Sequence, residues 1–152
     1  MYNKQFSTVG KSVMRIDAAD KAYGRVKFTG DIALPGILHA ELHTSEYAHA
    51  TIQSIDVTEA WRAEGVKAII TGDAFPFPVG PMLADRPPLV IDKVRYYGEP
   101  IAIVVASNRR QAKMAASLIK VNYDPLPVIN SPRQAFTKGS PLIHEKLGDY
   151  KI

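Results

Sequence analysis

The feature that most constrains the fold is an uninterrupted apolar run at residues 101–106, in a chain of 152 residues. In an extended backbone, successive side chains point to opposite faces, so apolar residues at every position are typical of a strand covered on both sides. A chain of this length accommodates one ordinary domain built around one core. We therefore predict that residues 101–106 form a buried strand at the centre of that core.

Segments around this run predict a sheet and two covering helices. Residues 37–44 alternate between apolar and polar side chains, which predicts a half-buried strand with Leu38, Ala40 and Leu42 in the core. A stripe of alanines predicts a helix from residue 107 or 108 to about 120 that packs close to the sheet. Together the elements predict an α+β fold with a mixed sheet and two helices. The other predicted elements are strands at 25–28, 50–55, 66–71, 89–97 and 121–124, and a helix at 57–64.

The chain contains no cysteine, which excludes whole classes of function from it. Disulfides, cysteine-ligated zinc and cysteine-held iron–sulfur clusters all need sulfur ligands. No segment has the pattern of an N-terminal signal or approaches the roughly 20 apolar residues of a membrane span. We therefore expect a cytoplasmic protein that has no membrane partner and no electron carrier of its own.

The net charge of +4 does not by itself indicate nucleic-acid binding. A nucleic-acid surface needs basic residues that are clustered in a stripe and interleaved with aromatic side chains. Here the basic residues are scattered along the chain, as Arg15, Lys67 and Lys120 illustrate. We expect no nucleic-acid partner.

Residues 72–88 contain five of the eleven prolines and no regular apolar pattern. Proline removes a backbone hydrogen-bond donor and restricts the residue before it, so this stretch predicts a loop. A loop longer than about 12–15 residues in a compact domain is usually functional or a linker. This proline-rich loop is therefore a candidate contact surface.

His39, Glu41 and His43 have a spacing that a metal ion could use. On a strand these three residues share one face, which makes a His-Glu-His site geometrically possible. The polar outer face of a half-buried strand explains the same spacing equally well. Both interpretations stay open on the sequence alone.

Three other sets of residues have the side chains that catalysis uses. Ser45 with His49, and Ser140 with His144, supply a hydroxyl and an imidazole but no orienting acid at a defined position, so both pairs are background. Glu99 precedes the central strand, where it is either a tuned general base or a turn residue that binds neighbouring backbone. The spacings of glycine-rich phosphate loops do not occur, which leaves nucleotide binding without local support.

Arg109, Arg110 and Lys113 lie in the first turns of the second predicted helix. Cations at that end oppose the helix dipole, at a cost of about 0.3–1 kcal/mol each. They form either a solvated helix face or a surface that binds an acidic partner. These three residues are the candidate interface.

Several short motifs follow one another along nearly the whole chain. They are Val-Gly-Lys-Ser at 9–12, Arg-Ile-Asp-Ala at 15–18, Thr-Gly-Asp at 29–31, Leu-Pro-Gly-Ile-Leu-His-Ala at 34–40, His-Ala-Thr-Ile at 49–52, Gly-Val-Lys-Ala at 65–68, Asp-Lys-Val-Arg-Tyr-Tyr-Gly-Glu-Pro-Ile-Ala at 92–102 and Val-Asn-Tyr-Asp-Pro-Leu-Pro at 121–127. Taken in order, these segments resemble the start of the molybdenum-binding subunits of the xanthine dehydrogenase and aldehyde oxidase family. One departure is Thr44-Ser45-Glu46, where family members often have Arg-Ser-Pro.

The resemblance implies an N-terminal a/b hammerhead domain that holds no catalytic, cofactor-binding or metal-binding residue. It implies an arm at residues 1–20, the hammerhead domain at 21–130 and a connector at 131–152 toward cofactor domains that are absent from this chain. The parent enzyme would use molybdopterin, 2Fe–2S clusters and FAD. Its molybdopterin-binding domains belong to the same subunit, and the iron–sulfur and FAD groups belong to further domains or subunits.

Two functions follow for comparison. In the first, the chain is a structural module of a molybdenum hydroxylase, inactive alone, whose sheet and proline-rich loop pack against the cofactor domains and help to close the substrate channel. In the second, it is a freestanding module that binds a small acid or a metal ion. The residues of that alternative are His39, Glu41, His43 and Glu99.

Overall fold

The computed structural model describes residues 6–82 and 84–145 of the chain. The chain divides into two compact units, Met1–Pro35 and Gly36–Ile152. In its described residues the first unit contains helix α1 (Ala18–Ala22) and a 3-10 turn at Thr29–Asp31. Residues 25–28 have no strand pairing, so the strand predicted there is wrong.

The strands described in the second unit form two sheets of three strands, and every pairing is antiparallel. The central sheet has the strand order β1-β5-β3, and the second sheet has the order β4-β2-β6. The α+β class is confirmed, whereas the predicted single mixed sheet is replaced by two antiparallel ones. The strands are β1 (His39–Thr44), β2 (Ala50–Asp56), β3 (Val66–Thr71), β4 (Lys93–Val94), β5 (Pro100–Ala106) and β6 (Lys120–Pro125).

The two predicted helices explain why the sheet is divided. Helix α2 (Thr58–Arg62) connects β2 of the second sheet to β3 of the central sheet. Helix α3 (Arg109–Ala116) connects β5 of the central sheet to β6 of the second sheet. When a helix connects two strands of one sheet, the two strands usually run parallel. Here each helix instead connects a strand of one sheet to a strand of the other. A short helix α4 (Pro132–Ala135) follows β6.

Strand β5 is the buried centre of the fold, as its apolar run predicts. Ala102, Val104 and Ala106 are fully buried on the face that α2 and α3 cover. Ile101, at the start of the strand, packs with Ala50 and other apolar residues of the second sheet. One strand therefore contributes to both apolar clusters.

Helix α3 packs closely on the central sheet because its inward residues are small. Ala112, Ala115 and Ala116 are buried, which confirms the predicted alanine stripe. The helix begins after Asn108, whose side chain accepts a hydrogen bond from the backbone N–H of Gln111 over 2.9 Å. Such a cap typically stabilises a helix by about 1 kcal/mol.

The faces of β1 are opposite to the prediction. Ala40 and Leu42 are exposed, whereas the polar residues His39, Glu41 and His43 form the half-buried side of the strand. The register explains this, because Glu41 pairs with Val104 and His43 with Ala102, and those β5 residues face the helices. In an antiparallel pair, directly opposed residues share one face of the sheet. Alternation predicts correctly which residues share a face but not which face is covered.

In the described part of the chain, no helix is long and apolar enough to cross a membrane.

Gly72, where the proline-rich loop begins, allows a test of how closely the chain packs against the backbone of Val90. A Cβ at this position would lie 2.4 Å from the carbonyl oxygen of Val90, and backbone cannot move aside as a flexible side chain can. We expect Gly72→Ala to lower the free energy of unfolding by about 1–3 kcal/mol, the usual cost of overpacking. Gly30→Ala is the control, since its Cβ would meet no atom within 4 Å. Urea unfolding measures both, and equal effects would contradict the close contact.

Candidate functional site

A cleft lies between the proline-rich loop, the segment that joins β4 to β5, and the end of the described chain. It consists of two neighbouring pockets, and three residues, Asp85, Arg95 and His144, line both of them. One pocket, with a volume of about 270 Å³, has an apolar wall that includes Phe77 and Ile91. We call the two pockets together the polar cleft. Its other polar residues are Arg86, Asp92, Tyr96, Glu99 and Glu145.

Glu99 is placed at the cleft by a turn that docks on the end of β1. Its backbone carbonyl accepts a hydrogen bond from Ser45 N, and Ser45 O accepts one from Gly98 N, both over 2.9 Å. The Glu99 carboxylate accepts a hydrogen bond from the backbone N–H of Arg95. The residue is only 2% exposed, and burial raises its pKa above the ordinary value. Of the two roles open on the sequence, the contacts support the turn residue.

Arg95 is the main cationic group of the cleft. Its Nη1 donates to the carbonyl oxygen of Lys93 over 2.7 Å, and its Nη2 lies 3.9 Å from the Asp92 carboxylate. Its Nε is buried without a hydrogen-bond partner among the described residues. Nearby, Arg86 donates to the Tyr96 hydroxyl over 3.3 Å. The cleft can therefore bind polar groups, but its arginines are balanced by Asp85 and Glu99.

Lys93 and Glu145 hold the end of the described chain against the cleft. The two side chains form an ion pair in which Lys93 is 9% exposed and Glu145 is 63% exposed. The hydrogen bond from Lys93 lowers the pKa of Glu145. A buried ammonium group with one carboxylate partner depends on that partner for its charge balance. His144, next to Glu145, is thereby positioned at the edge of the cleft.

The metal candidates are not arranged as a metal site. His39, Glu41 and His43 share one face of β1, as the spacing predicts, but this face is turned toward α3. His43 Nδ1 donates to the Ala116 carbonyl over 3.0 Å, at the C-terminal end of α3. No three His, Asp or Glu side chains within residues 6–82 and 84–145 are grouped to hold a metal ion. Glu99 lines a different cleft from Glu41 and His43, so the structure does not bring the proposed four residues together.

Three of the four residues of the serine–histidine pairs hydrogen-bond to backbone, and His144 lines the polar cleft. The Ser45 hydroxyl donates to Tyr47 O and accepts from Tyr47 N, while His49 Nδ1 donates to Pro127 O over 2.7 Å. The Ser140 hydroxyl donates to Gln134 O. These contacts support the interpretation of both pairs as structural.

The sequence patterns did not predict that buried polar side chains gather around Tyr123. The centroid of its ring lies 4.8 Å from the centroid of the Tyr47 ring, and burial raises the pKa of the Tyr123 hydroxyl. The Tyr123 hydroxyl and His49 Nε2 are both buried without a hydrogen-bond partner in the described chain. The alternation of β6, which turns Val121 and Tyr123 inward, was the available signal.

The three predicted interface residues are all exposed on the outer side of α3. Arg109, Arg110 and Lys113 form no ion pair with any residue that the structure describes.

The sequence matches the family described as "Aldehyde oxidase and xanthine dehydrogenase, a/b hammerhead domain" over residues 23–127. This chain belongs to that family. The hammerhead fold and the oxidoreductase relationship expected from the resemblance are thus confirmed.

Relatives of this hammerhead domain are large subunits of molybdenum enzymes. The nicotinate dehydrogenase large molybdopterin subunit of Eubacterium barkeri is 34% identical over 98% of this chain, which spans 35% of that relative. The xanthine dehydrogenase molybdenum-binding subunit of Escherichia coli is 33% identical over 86% of this chain, which spans 19% of that relative. The chain therefore corresponds to about a third or less of these two proteins.

Solved structures of the family share the fold. Cu,Mo-CO dehydrogenase superposes with a TM-score of 0.84 and 31% identity, over 92% of this chain and 18% of that chain. The aldehyde oxidoreductase of Desulfovibrio gigas superposes with a TM-score of 0.78 and 30% identity, over 86% of this chain and 16% of that chain.

Glu99 generates a prediction about pH. Because burial raises its pKa, the folded chain keeps the proton to a higher pH than the unfolded chain. This contribution to stability is therefore largest at low pH and is lost as pH rises through the folded pKa. Glu99→Gln keeps an acceptor for the Arg95 N–H and removes the titration. We therefore expect its unfolding free energy to fall less than that of wild type as pH rises from about 4, near the pKa of an unfolded glutamate, to about 8.

Glu99→Ala is the matched comparison for that measurement. It removes the acceptor, and we expect it to lower the unfolding free energy by about 1–3 kcal/mol at both pH values because a buried N–H loses its partner. Identical pH profiles for Glu99→Gln and wild type would show that Glu99 does not titrate in this range.

Glu145 generates the opposite pH dependence. Its pKa is lowered by Lys93, so its contribution to stability is present above the unfolded pKa and is lost as pH falls through the folded pKa. We expect Glu145→Gln to cost about 1–2 kcal/mol near neutral pH, since Lys93 is left buried beside a neutral group. Glu59→Gln breaks an exposed pair with Arg62 and should cost no more than about 0.5 kcal/mol. Urea unfolding distinguishes the two, and equal losses would contradict the anchoring role of Lys93.

Proposed function

We propose that this chain is a non-catalytic structural domain of a molybdenum hydroxylase large subunit, and that it supports the molybdopterin-binding domains of the same subunit. The observation that carries this proposal is an apolar face of the central sheet, opposite the face that α2 and α3 cover, that the described chain covers only in part: its β1 residues are exposed and its β3 and β5 residues are half-buried. We call it the open face. It consists of Ala40 and Leu42 of β1, Ala68 and Ile70 of β3, and Ile103 and Val105 of β5.

The open face has the composition of a sheet surface that is buried in an assembly. Leu42, Ile103 and Ile70 lie in one row across the three strands, and Ala40, Val105 and Ala68 lie in a second row. An antiparallel sheet that faces water on one side normally carries polar residues there. This face carries none in the two rows, and Leu42 is 49% exposed. Contiguous apolar surface of this kind marks a contact with another protein body.

The lengths and names of the relatives support a proposal for the body that covers the open face. The chain spans 35% or less of the two relatives described above, whose names are those of molybdopterin or molybdenum-binding subunits. The remaining part of such a subunit is the body that we propose packs on the sheet. The proline-rich loop and the polar cleft lie on the same unit, and we propose that they contact the cofactor domains and help to close the substrate channel. The boundaries at residues 20 and 130 are part of this proposal.

The residues of this chain do not fit the redox cofactors of the proposed parent enzyme. An iron–sulfur cluster needs cysteine thiolates, and the chain has none. No glycine-rich phosphate loop is present for FAD or for a pterin dinucleotide. We therefore propose that molybdopterin, 2Fe–2S clusters and FAD are all bound outside residues 1–152, that these residues alone are inactive, and that the complete enzyme is cytoplasmic.

A pair of substitutions in the full-length large subunit tests this proposal. Leu42 is 49% exposed on the open face, and Val128 is 40% exposed beyond the end of β6. We expect Leu42→Glu to lower the melting temperature of the subunit and its molybdenum content, because a carboxylate buried at the contact without a partner costs several kcal/mol. Val128→Glu should leave both unchanged.

The isolated chain supplies the control for folding. Since Leu42 is half exposed there, residues 1–152 with Leu42→Glu should keep the circular dichroism and unfolding midpoint of the unchanged chain. A full-length Leu42→Glu subunit with unchanged stability and molybdenum would remove the open face as the contact. Turnover, or tightly held pterin, in purified residues 1–152 would contradict the non-catalytic role.

A further inference from the structure

A second surface lies on helix α3, on the other side of the central sheet from the open face. The inward side of this helix consists of buried alanines, and its outward side carries cations and large apolar residues. We call the outward side the α3 surface. It consists of Arg109, Arg110, Lys113 and Met114, with Leu118 just beyond the helix.

The cations of the α3 surface share pockets with carboxylates of this chain but do not pair with them. Glu64 lines the same groove as Arg110, and Glu41 and Glu46 line the same pocket as Lys113. The first turn of α3 contains no acidic residue, so Arg109 and Arg110 oppose the helix dipole without local compensation. Neither they nor Lys113 form an ion pair with the described residues. An acidic group from another molecule would relieve both the mutual repulsion of these cations and their conflict with the dipole.

The same surface exposes large apolar side chains next to the cations. Met114 is 58% exposed, Leu118 is 43% exposed, and Trp61 of α2 is 49% exposed. Met114 and Leu118 line a groove of about 200 Å³ between α3 and the end of α2, together with Arg110. Glu64 is the one carboxylate in that lining. Large apolar residues with arginine beside them are typical of protein interfaces and not of nucleic-acid surfaces.

The α3 surface is held in place by local contacts. Asn108 Nδ2 donates to Gln111 Oε1 over 2.8 Å, in addition to the cap that Asn108 provides. Gly65, with φ +79°, lies so close that a Cβ there would be 2.2 Å from Gln111 Oε1. A preformed surface loses little conformational freedom when it binds a partner.

We propose that the α3 surface binds an acidic, amphipathic segment of a companion protein chain. Carboxylates of that segment pair with Arg109, Arg110 and Lys113, and its apolar side chains enter the groove beside Met114 and Leu118. The assignment to a separate chain rests on the proposed function. If the rest of the large subunit covers the open face, it lies on the far side of the sheet from α3, which leaves the α3 surface for a second body.

Photo-crosslinking in the assembled enzyme tests where each surface binds. The full-length large subunit is expressed with its companion subunits and carries p-benzoylphenylalanine in place of Leu118 or, separately, Leu42. We expect position 118 to crosslink to an acidic segment of a companion chain. A crosslink from position 118 to the large subunit itself, to nucleic acid, to a non-acidic surface or to no chain would overturn the inference. Position 42 reports separately on the proposed function, because it should crosslink within the large subunit.

Charge reversal tests the electrostatic part of the inference in the same complex. Replacing all three cations by glutamate should weaken binding of the companion chain about tenfold, since three modest ion pairs on an exposed surface are lost together. Binding of the unchanged subunit should also weaken as ionic strength rises from about 0.05 M to about 0.5 M. Both are measured by surface plasmon resonance on the purified large subunit and companion chain.

The control variant carries the same change of net charge on exposed residues outside the α3 surface. It should bind within about twofold of the unchanged subunit, and its molybdenum content and that of the α3 variant should be unchanged. Equal weakening by both variants, or unchanged binding by the α3 variant, would overturn the inference. The control substitutions are Lys27→Glu, Arg133→Glu and Lys138→Glu.

Discussion

The packing of β5 between β1 and β3 is the constraint on which the rest of the structure depends. Both edges of β5 are hydrogen-bonded to neighbours, so its position and register determine those of the whole central sheet. Ala102 and Val104 then anchor the helices on one side, while Ile101 reaches the second sheet. Because burial of apolar surface is the largest stabilising contribution to folding, a strand that serves both clusters holds the two sheets in one unit.

The parts of the fold that follow from local chemistry could be predicted from the sequence. The apolar run of β5, the alanine stripe of α3 and the start of that helix at residue 107 or 108 depend on neighbours in sequence. The structure has the first two and decides the third in favour of a cap at Asn108. The path of the chain between the sheets could not be predicted in this way. Both helices are compatible with a parallel crossover in one sheet, and only the pairing partners of β2 and β6 decide against it.

The contacts of the polar cleft could not be predicted from the sequence for the same reason. A turn role was one of the two interpretations of Glu99, because its carboxylate binds the backbone of a near neighbour, Arg95, whereas its contact with Ser45 could not be predicted. Lys93 and Glu145 are 52 positions apart, and no spacing rule connects them. His49 and Tyr123 are brought together with other buried groups by the pairing of β2 with β6. Long-range polar pairs of this kind depend on tertiary structure, which periodicity does not encode.

The buried and exposed faces of β1 are the reverse of those predicted, and this reversal has a physical explanation. Alternation of the kind seen in residues 37–44 marks the apolar side as the one removed from water. In this chain that side, with Leu42, is the uncovered one, while the polar side meets the C-terminal end of α3 through His43. The alternation of β1 predicts the wrong buried face for the isolated chain, but the right one if the open face is covered by another body. This is expected of a domain whose sequence is adapted to its assembled state. The inverted strand therefore supports packing on both sides of the central sheet, by its own helices on one side and by the remaining large subunit on the other.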